Sequence, residues 1–207
     1  MAEFVEIHPK NPQPRLIQQV VDCLRQGGVI IYPTDSAYAL GAQVGDKQAM
    51  DTIRRIRRLD DNHNFTLLCN DLSQVSTFTK MGNHAHRLIK SLTPGAFTFL
   101  LDATREVPRR LQHPKKKSIG VRITDNLIAR ALLEALGEPL LTSTLMLPGD
   151  EEPMNDPFDI RQRLDRDVDL IVDAGIIEYK PSTIIACIDN GIEIVRQGVG
   201  IAPMLEK

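Results

Sequence analysis

Apolar residues recur along the chain with two periods, and the switches between them mark its elements. Leu16, Val20, Val21 and Leu24 fall on one helical stripe that Pro14 opens and Gly27-Gly28 ends, which predicts a first helix. Val29, Ile30, Ile31 and Tyr32 then run together without a polar break and stop at Pro33. That run predicts a buried strand delivering Pro33-Thr34-Asp35-Ser36 to a loop at its end. Asp46 is placed to cap a second helix whose buried face carries Met50, Ile53 and Ile56. Arg54, Arg55, Arg57 and Arg58 are thereby turned partly outward.

Further on, Phe65–Cys69 and Phe97–Leu101 read as strands, with a short amphipathic helix over His84–Leu92 between them and Thr93-Pro94-Gly95 as its stop. Ser118–Ile123 predicts a strand, Leu127–Leu136 a helix closed by Gly137, and Leu140–Thr144 another strand running into Pro148-Gly149. The acidic stretch Gly149–Pro157 reads as a surface loop. Asp156 then caps a helix from Pro157 to about Arg166, and Val168–Asp173 forms a strand. Last, Thr183–Ile188 and Ile192–Arg196 flank Asp189-Asn190-Gly191, the composition of a tight hairpin turn. Helices alternating with strands, plus a hairpin, predict an α/β fold with a mixed sheet in one domain spanning residues 1–207.

Composition narrows the function. With 42% hydrophobic and 25% charged residues the chain is neither disordered nor fibrous. A net charge of −2, from 25 Lys+Arg against 27 Asp+Glu, excludes coating of nucleic acid through bulk charge, so any polyanion site must be local. Two clusters qualify: the arginines 54, 55, 57 and 58, and the group Arg105, Arg109, Arg110, Lys115, Lys116, Lys117 and Arg122. Cys23, Cys69 and Cys187 have no CxxC spacing and are expected as reduced, buried thiols. The first residues hold no apolar leader and no stretch reaches membrane-spanning length, so the expectation is a cytoplasmic protein without a membrane partner.

Neither a P-loop nor a GxGxxG spacing occurs, so a phosphate would be held by arginine forks and hydroxyls. The five histidines (His8, His63, His84, His86 and His113) accompany no nucleophile motif, and His84 and His86 are too poorly spaced for neighbouring helical ligands. No metal site is expected. His63 adjoins the arginine helix and reads as a loop histidine without a catalytic task.

The segment GVIIYPTDSAYALG, from Gly28 to Gly41, resembles the opening strand and loop of the YrdC-like threonylcarbamoyl-AMP synthases. TPGAFTFLL from Thr93, IGVRITDN from Ile119, PST at Pro181–Thr183 and VRQGV from Val195 extend that resemblance over nearly the whole chain. It implies a twisted mixed sheet around a large basic concave cavity, with helices outside. It also implies an activity: threonine, bicarbonate and ATP give threonylcarbamoyl-AMP and pyrophosphate for modification of tRNA at A37, with ATP and Mg²⁺ arriving as substrate and no cofactor held tightly. By position, Thr34 and Tyr38 would face the threonine, and Arg57, Arg122, Thr144, Ser182 and Arg196 would shape the nucleotide site. The chain departs from the synthases twice. Their KxR appears as Arg57-Arg58-Leu59, and their SxN as Thr144-Leu145-Met146. This altered pattern resembles the YciO branch, which implies a protein binding nucleotide (ATP or AMP) and double-stranded or otherwise structured RNA, tRNA included. Arg54, Arg58, Arg109, Arg110, Lys115, Lys116 and Lys117 would form the RNA surface. The alternative is a slow or substrate-shifted synthase.

Overall fold

The computed structural model describes residues 1–60, 63, 65–188 and 191–205. In chain order the elements are β1 (Glu3–Glu6), α1 (Pro14–Arg25), β2 (Ile30–Pro33), β3 (Tyr38–Gln43), α2 (Lys47–Arg57), β4 (Thr66–Leu68), α3 (Leu72–Phe78), β5 (Thr79–Lys80) and α4 (Asn83–Leu92). They continue with β6 (Phe97–Ala103), β7 (Ser118–Arg122), α5 (Leu127–Leu136), β8 (Leu140–Thr144), α6 (Pro157–Leu164), β9 (Leu170–Asp173), β10 (Thr183–Cys187) and β11 (Glu193–Arg196). Side-chain caps open four helices where the sequence places Asp or Asn: Asp46, Asp71, Asn126 and Asp156 each accept a backbone N–H from the first turn. Gly137 ends α5 in the left-handed region at φ 78°, a conformation that costs glycine least.

The strands join into one sheet in the order β1-β9-β2-β3-β8-β4-β7-β6-β10-β11, with β5 added to β6. The pairs β1–β9, β2–β9, β4–β7 and β6–β10 are parallel and the others antiparallel, so the sheet is mixed. Alternate residues feed two separate cores, as the period of a strand requires. Ile31, Leu40, Leu67, Val121 and Leu141 face one side, packed with Ile53 of α2, Ile89 of α4 and Ile160 of α6. Ile30, Tyr32, Leu140, Leu170 and Val172 face the other, covered by α1 and α5 through Val20, Val21, Leu24, Ile128, Leu132 and Leu133. Those two helices stop short. Over β4, β7, β6 and β10 the same face carries Thr66, Arg122, Thr98 and Ile184, and these border an open hollow.

Several boundaries differ from the sequence pattern. The pattern carries no sign of β1, β3, α3 or β5. In β3, Tyr-Ala-Leu-Gly-Ala-Gln is too poor in β-branched residues to read as a strand, yet Gly41 is needed there. A Cβ on it would fall 2.8 Å from the Tyr32 ring and 2.9 Å from Leu140. α6 ends at Leu164, before Arg166, and β9 begins at Leu170; the Asp169 carboxylate just before it accepts the Val29 N–H at 2.8 Å. β10 and β11 pair antiparallel as expected of a hairpin, while Asp189 and Asn190 of its turn lie outside the described residues.

Candidate functional site

The hollow, about 250 Å³, is floored by the uncovered part of the sheet. Thr66, Thr98, Thr142 and Thr144 present hydroxyls to it, and Arg57, Arg122 and Arg196 enter it from three different elements. Among the described residues that line it there is no carboxylate. Asp35 neutralises Arg122, so the positive potential over the hydroxylated floor comes from the Arg57 and Arg196 guanidinium groups, in a chain that is slightly acidic overall.

Each arginine is held differently. Arg57, in the last turn of α2, donates from Nε to the Met146 carbonyl at 3.1 Å and from Nη1 to Ser143 Oγ at 2.8 Å. Burial lowers its pKa from the usual guanidinium value, though arginine stays charged at any physiological pH. Arg196, on edge strand β11, donates to the Ser182 carbonyl at 2.7 Å, and Ser182 Oγ shares a 2.9 Å hydrogen bond with Thr98 Oγ1. Gly198 lets the chain cross Ser182 closely, since a Cβ there would run into the Pro181 and Ser182 carbonyls. Arg122 ends β7 in a buried ion pair with Asp35, its Nη2 lying 2.9 Å from each carboxylate oxygen, while Thr124 Oγ1 donates to Asp35 at 2.6 Å. Arg122 Nε is buried without a hydrogen-bond partner among the described residues.

Thr34 and Tyr38 both border the hollow, but each is committed to the protein. The Thr34 hydroxyl donates to the Ala37 carbonyl at 2.7 Å and accepts the Ser36 and Ala37 N–H groups, closing the β2–β3 corner. Tyr38 is fully buried. Its hydroxyl donates to Gly175 O at 2.8 Å and accepts the Ala174 N–H at 3.0 Å. Burial raises its pKa well above the usual phenol value. Two irregular segments complete the walls, residues 147–156 with Pro153 and residues 174–182 with Tyr179 and Pro181. Ile177 N–H donates to Asn155 O at 3.0 Å and Lys180 N–H to Ser36 O at 2.8 Å, lacing them together.

Each basic cluster sends one arginine to the hollow, Arg57 and Arg122, while their other cations lie outside it. β7 runs from Ser118, beside the lysine loop, to Arg122 on the floor, a rise of about 13 Å. Lys115, Lys116 and Lys117 are therefore left exposed at the sheet end where β4 begins, and Arg109 and Arg110 are exposed beside them. Arg54 lies over the Phe65 ring at 5.4 Å and donates to Arg110 O at 3.3 Å, while Arg58 is exposed at the left-handed end of α2. Arg55 turns to the far side and pairs with Asp167 at 2.7 Å. Of the two departures in the sequence motifs, Met146 lines the hollow, whereas Leu59 packs against the core outside it.

The hollow also holds a residue whose pattern promised little. His63 lines it with its ring edge-on to Phe65 at 5.6 Å. Burial and then Arg57 hold its imidazole down to about 4. Its only sequence signal was its place beside the arginine helix.

A wider depression of about 1130 Å³ lies between α1, α2 and β1. There Glu3, Asp22, Asp46 and Asp169 offset Arg15, Arg55 and Arg166, so it offers an anion no comparable potential. Among the described residues no group of three or more His, Cys, Asp or Glu is gathered to hold a metal ion, and no helix is long and apolar enough to cross a membrane.

A family model named for Sua5, YciO and YrdC, and described as telomere recombination, matches residues 22–198. The uncharacterized protein YciO of Escherichia coli K12 is 54% identical over 99% of this chain and 100% of its own length. Its crystal structure superposes with a TM-score of 0.95, at 53% identity and full coverage of both chains. A threonylcarbamoyl-AMP synthase of Coxiella burnetii is 30% identical over 77% of this chain and 86% of its own. The crystal structure of P. abyssi Sua5 complexed with L-threonine shares the fold at a TM-score of 0.86 and 21% identity. The match covers 94% of this chain and 57% of that one.

Proposed function

The chain belongs to the Sua5–YciO–YrdC family, and on that premise we propose that its hollow binds a phosphate-bearing nucleotide, ATP or AMP. One observation carries this: Arg57 and Arg196 converge, beside the Asp35-paired Arg122, on a hydroxyl-lined floor with no carboxylate among the described lining residues. Partial burial of Arg57 strengthens its contact with a phosphate, because the field there is less screened than at an exposed charge pair. Ser182 and Thr144 stand where they add neutral donors beside the arginines. Calorimetric titration of AMP into the full chain tests this. Micromolar binding that weakens at least tenfold in Arg57→Ala supports it, and equal affinity in the variant sinks it.

RNA belongs to a second surface. Arg54, Arg58, Arg109, Arg110, Lys115, Lys116 and Lys117 lie outside the hollow, so structured RNA or tRNA would be held through phosphates along the rim and would not need to enter.

A second reading is a slow threonylcarbamoyl-AMP synthase, favoured by the relative of that name at 30% identity. Here ATP with Mg²⁺ is a substrate, and the arginines would neutralise charge developing on its phosphates. The Met146 thioether contributes no hydrogen-bond donor there, which argues for a low rate. Pyrophosphate release that needs threonine and bicarbonate, and that Arg57→Ala abolishes, separates this reading from a binding-only role.

A further inference from the structure

We infer that His63 takes up a proton when a phosphate group enters the hollow beside Arg57, so that nucleotide binding by this chain is coupled to protonation of one histidine. The inference rests on the nucleotide reading above and adds a chemical consequence to it.

His63 is the one histidine among the hollow's described lining residues. Elsewhere, His8 and His113 accept backbone N–H groups through Nδ1, and His84 and His86 lie on α4. The His63 ring is fixed edge-on to Phe65. Among the described residues, the charged groups facing it are Arg57 and Arg54 of α2, which oppose protonation, and Asp60 just beyond α2, which favours it. Phe65 stands just before β4, and Thr144 at the end of β8 and Met146 beyond it line the same hollow, all uncharged. Burial and two guanidinium groups therefore keep the empty site's imidazole neutral. A phosphate dianion at Arg57 reverses this balance, because it neutralises the arginine's field and puts negative charge beside the ring. A proton from solvent then adds to the free ring nitrogen, and the imidazolium donates to a phosphate oxygen.

The sign follows from linkage. A group that gains proton affinity on binding strengthens binding as pH falls. If the ligand only restores the imidazole to its ordinary value of about 6.5, affinity rises about fourfold between pH 8 and pH 6, and about half a proton is taken up at pH 6.5. The phosphate of AMP also titrates near 6, so the comparison with His63→Asn isolates the histidine.

AMP is titrated calorimetrically into the full chain at pH 6.5 in two buffers of different ionisation heat, and its affinity is measured at pH 8 and pH 6, with wild type and H63N. Expected is an uptake about half a proton larger in wild type, and a pH-dependent gain in affinity about fourfold larger than in the variant. Equal uptake and equal pH dependence in the two proteins overturn the histidine's role while leaving nucleotide binding intact. If H63N fails to fold, proton NMR of the wild-type His63 ring decides: an imidazole that stays neutral at pH 6 with AMP bound overturns the inference alone. Failure of AMP to bind at all overturns the nucleotide reading and this inference with it.

Discussion

Arg122 and Asp35 meet across the sheet in a buried ion pair, Nη2 lying 2.9 Å from both carboxylate oxygens, with 10% and 8% of the two side chains exposed. The pair ties the β2–β3 corner to the end of β7, and so sets one end of the hollow. Removing one member leaves the other charge buried and alone, which costs more than the intact pair contributes. Asp35→Asn is expected to destabilise the protein by about 3 kcal/mol in urea unfolding. Thr124→Val, which removes the hydrogen bond to Asp35 and the one accepted from the Asn126 N–H but leaves the ion pair, should cost about 1 to 2 kcal/mol.

The split between the basic clusters predicts separable effects. Changing Lys115, Lys116 and Lys117 together to Ala should leave AMP affinity within about twofold of wild type, because none of them lines the hollow. The same triple variant should flatten the dependence of log affinity on log salt for double-stranded RNA by about 2 to 3, if each lysine contacts one phosphate. Filter-binding at several salt concentrations reads the slope directly.

Much of the fold was legible before any coordinates. The stripe of Leu16, Val20, Val21 and Leu24, the caps at Asp46 and Asp156 and the stop at Gly137 state local rules, and the elements obey them. The site was less legible. Four arginines in five positions read as one cluster. Yet Arg55 and Arg57 sit about 200° apart around α2, which sends one to Asp167 and the other into the hollow. The partnership of Arg122 with Asp35 joins residues far apart in sequence and follows no period. The hydroxyls of Thr34 and Tyr38 could be named as site groups from the resemblance. Their engagement by Ala37 O and Gly175 O depends on how the corner and the 174–182 segment close.

Titration of the empty protein should show two stability losses of opposite origin. The His63 imidazole is held down to about 4 in the folded state, so the unfolded chain binds more protons as pH falls. Stability present above about 6.5 is then lost toward pH 4, on the order of 1 kcal/mol given the ring's partial exposure, and H63N should flatten that limb. At high pH the order reverses. Burial raises Cys69 to about 12 and Cys187 to about 11, so the unfolded thiols ionise first and stability falls from about pH 9 upward. Urea midpoints at half-unit pH steps reveal both limbs, and a Cys69→Ser, Cys187→Ser variant should weaken the alkaline one, leaving the share of Cys23 and the buried tyrosines.

The buried thiols of Cys69 and Cys187 and the half-buried one of Cys23, expected from the sequence to be buried, also predict low reactivity. Cys23, Cys69 and Cys187 are all raised by burial, to about 11, 12 and 11. At pH 8 the folded protein should therefore show no thiol that reacts with a disulfide reagent as fast as a free cysteine. Denaturant should release all three.

The most direct test of the nucleotide site is a crystal structure of the full chain grown with AMP. Phosphate oxygens within about 3 Å of the Arg57 or Arg196 guanidinium groups, over the threonine floor, are the predicted result. AMP seated in the depression between α1 and α2, with the hollow filled only by solvent, would contradict it.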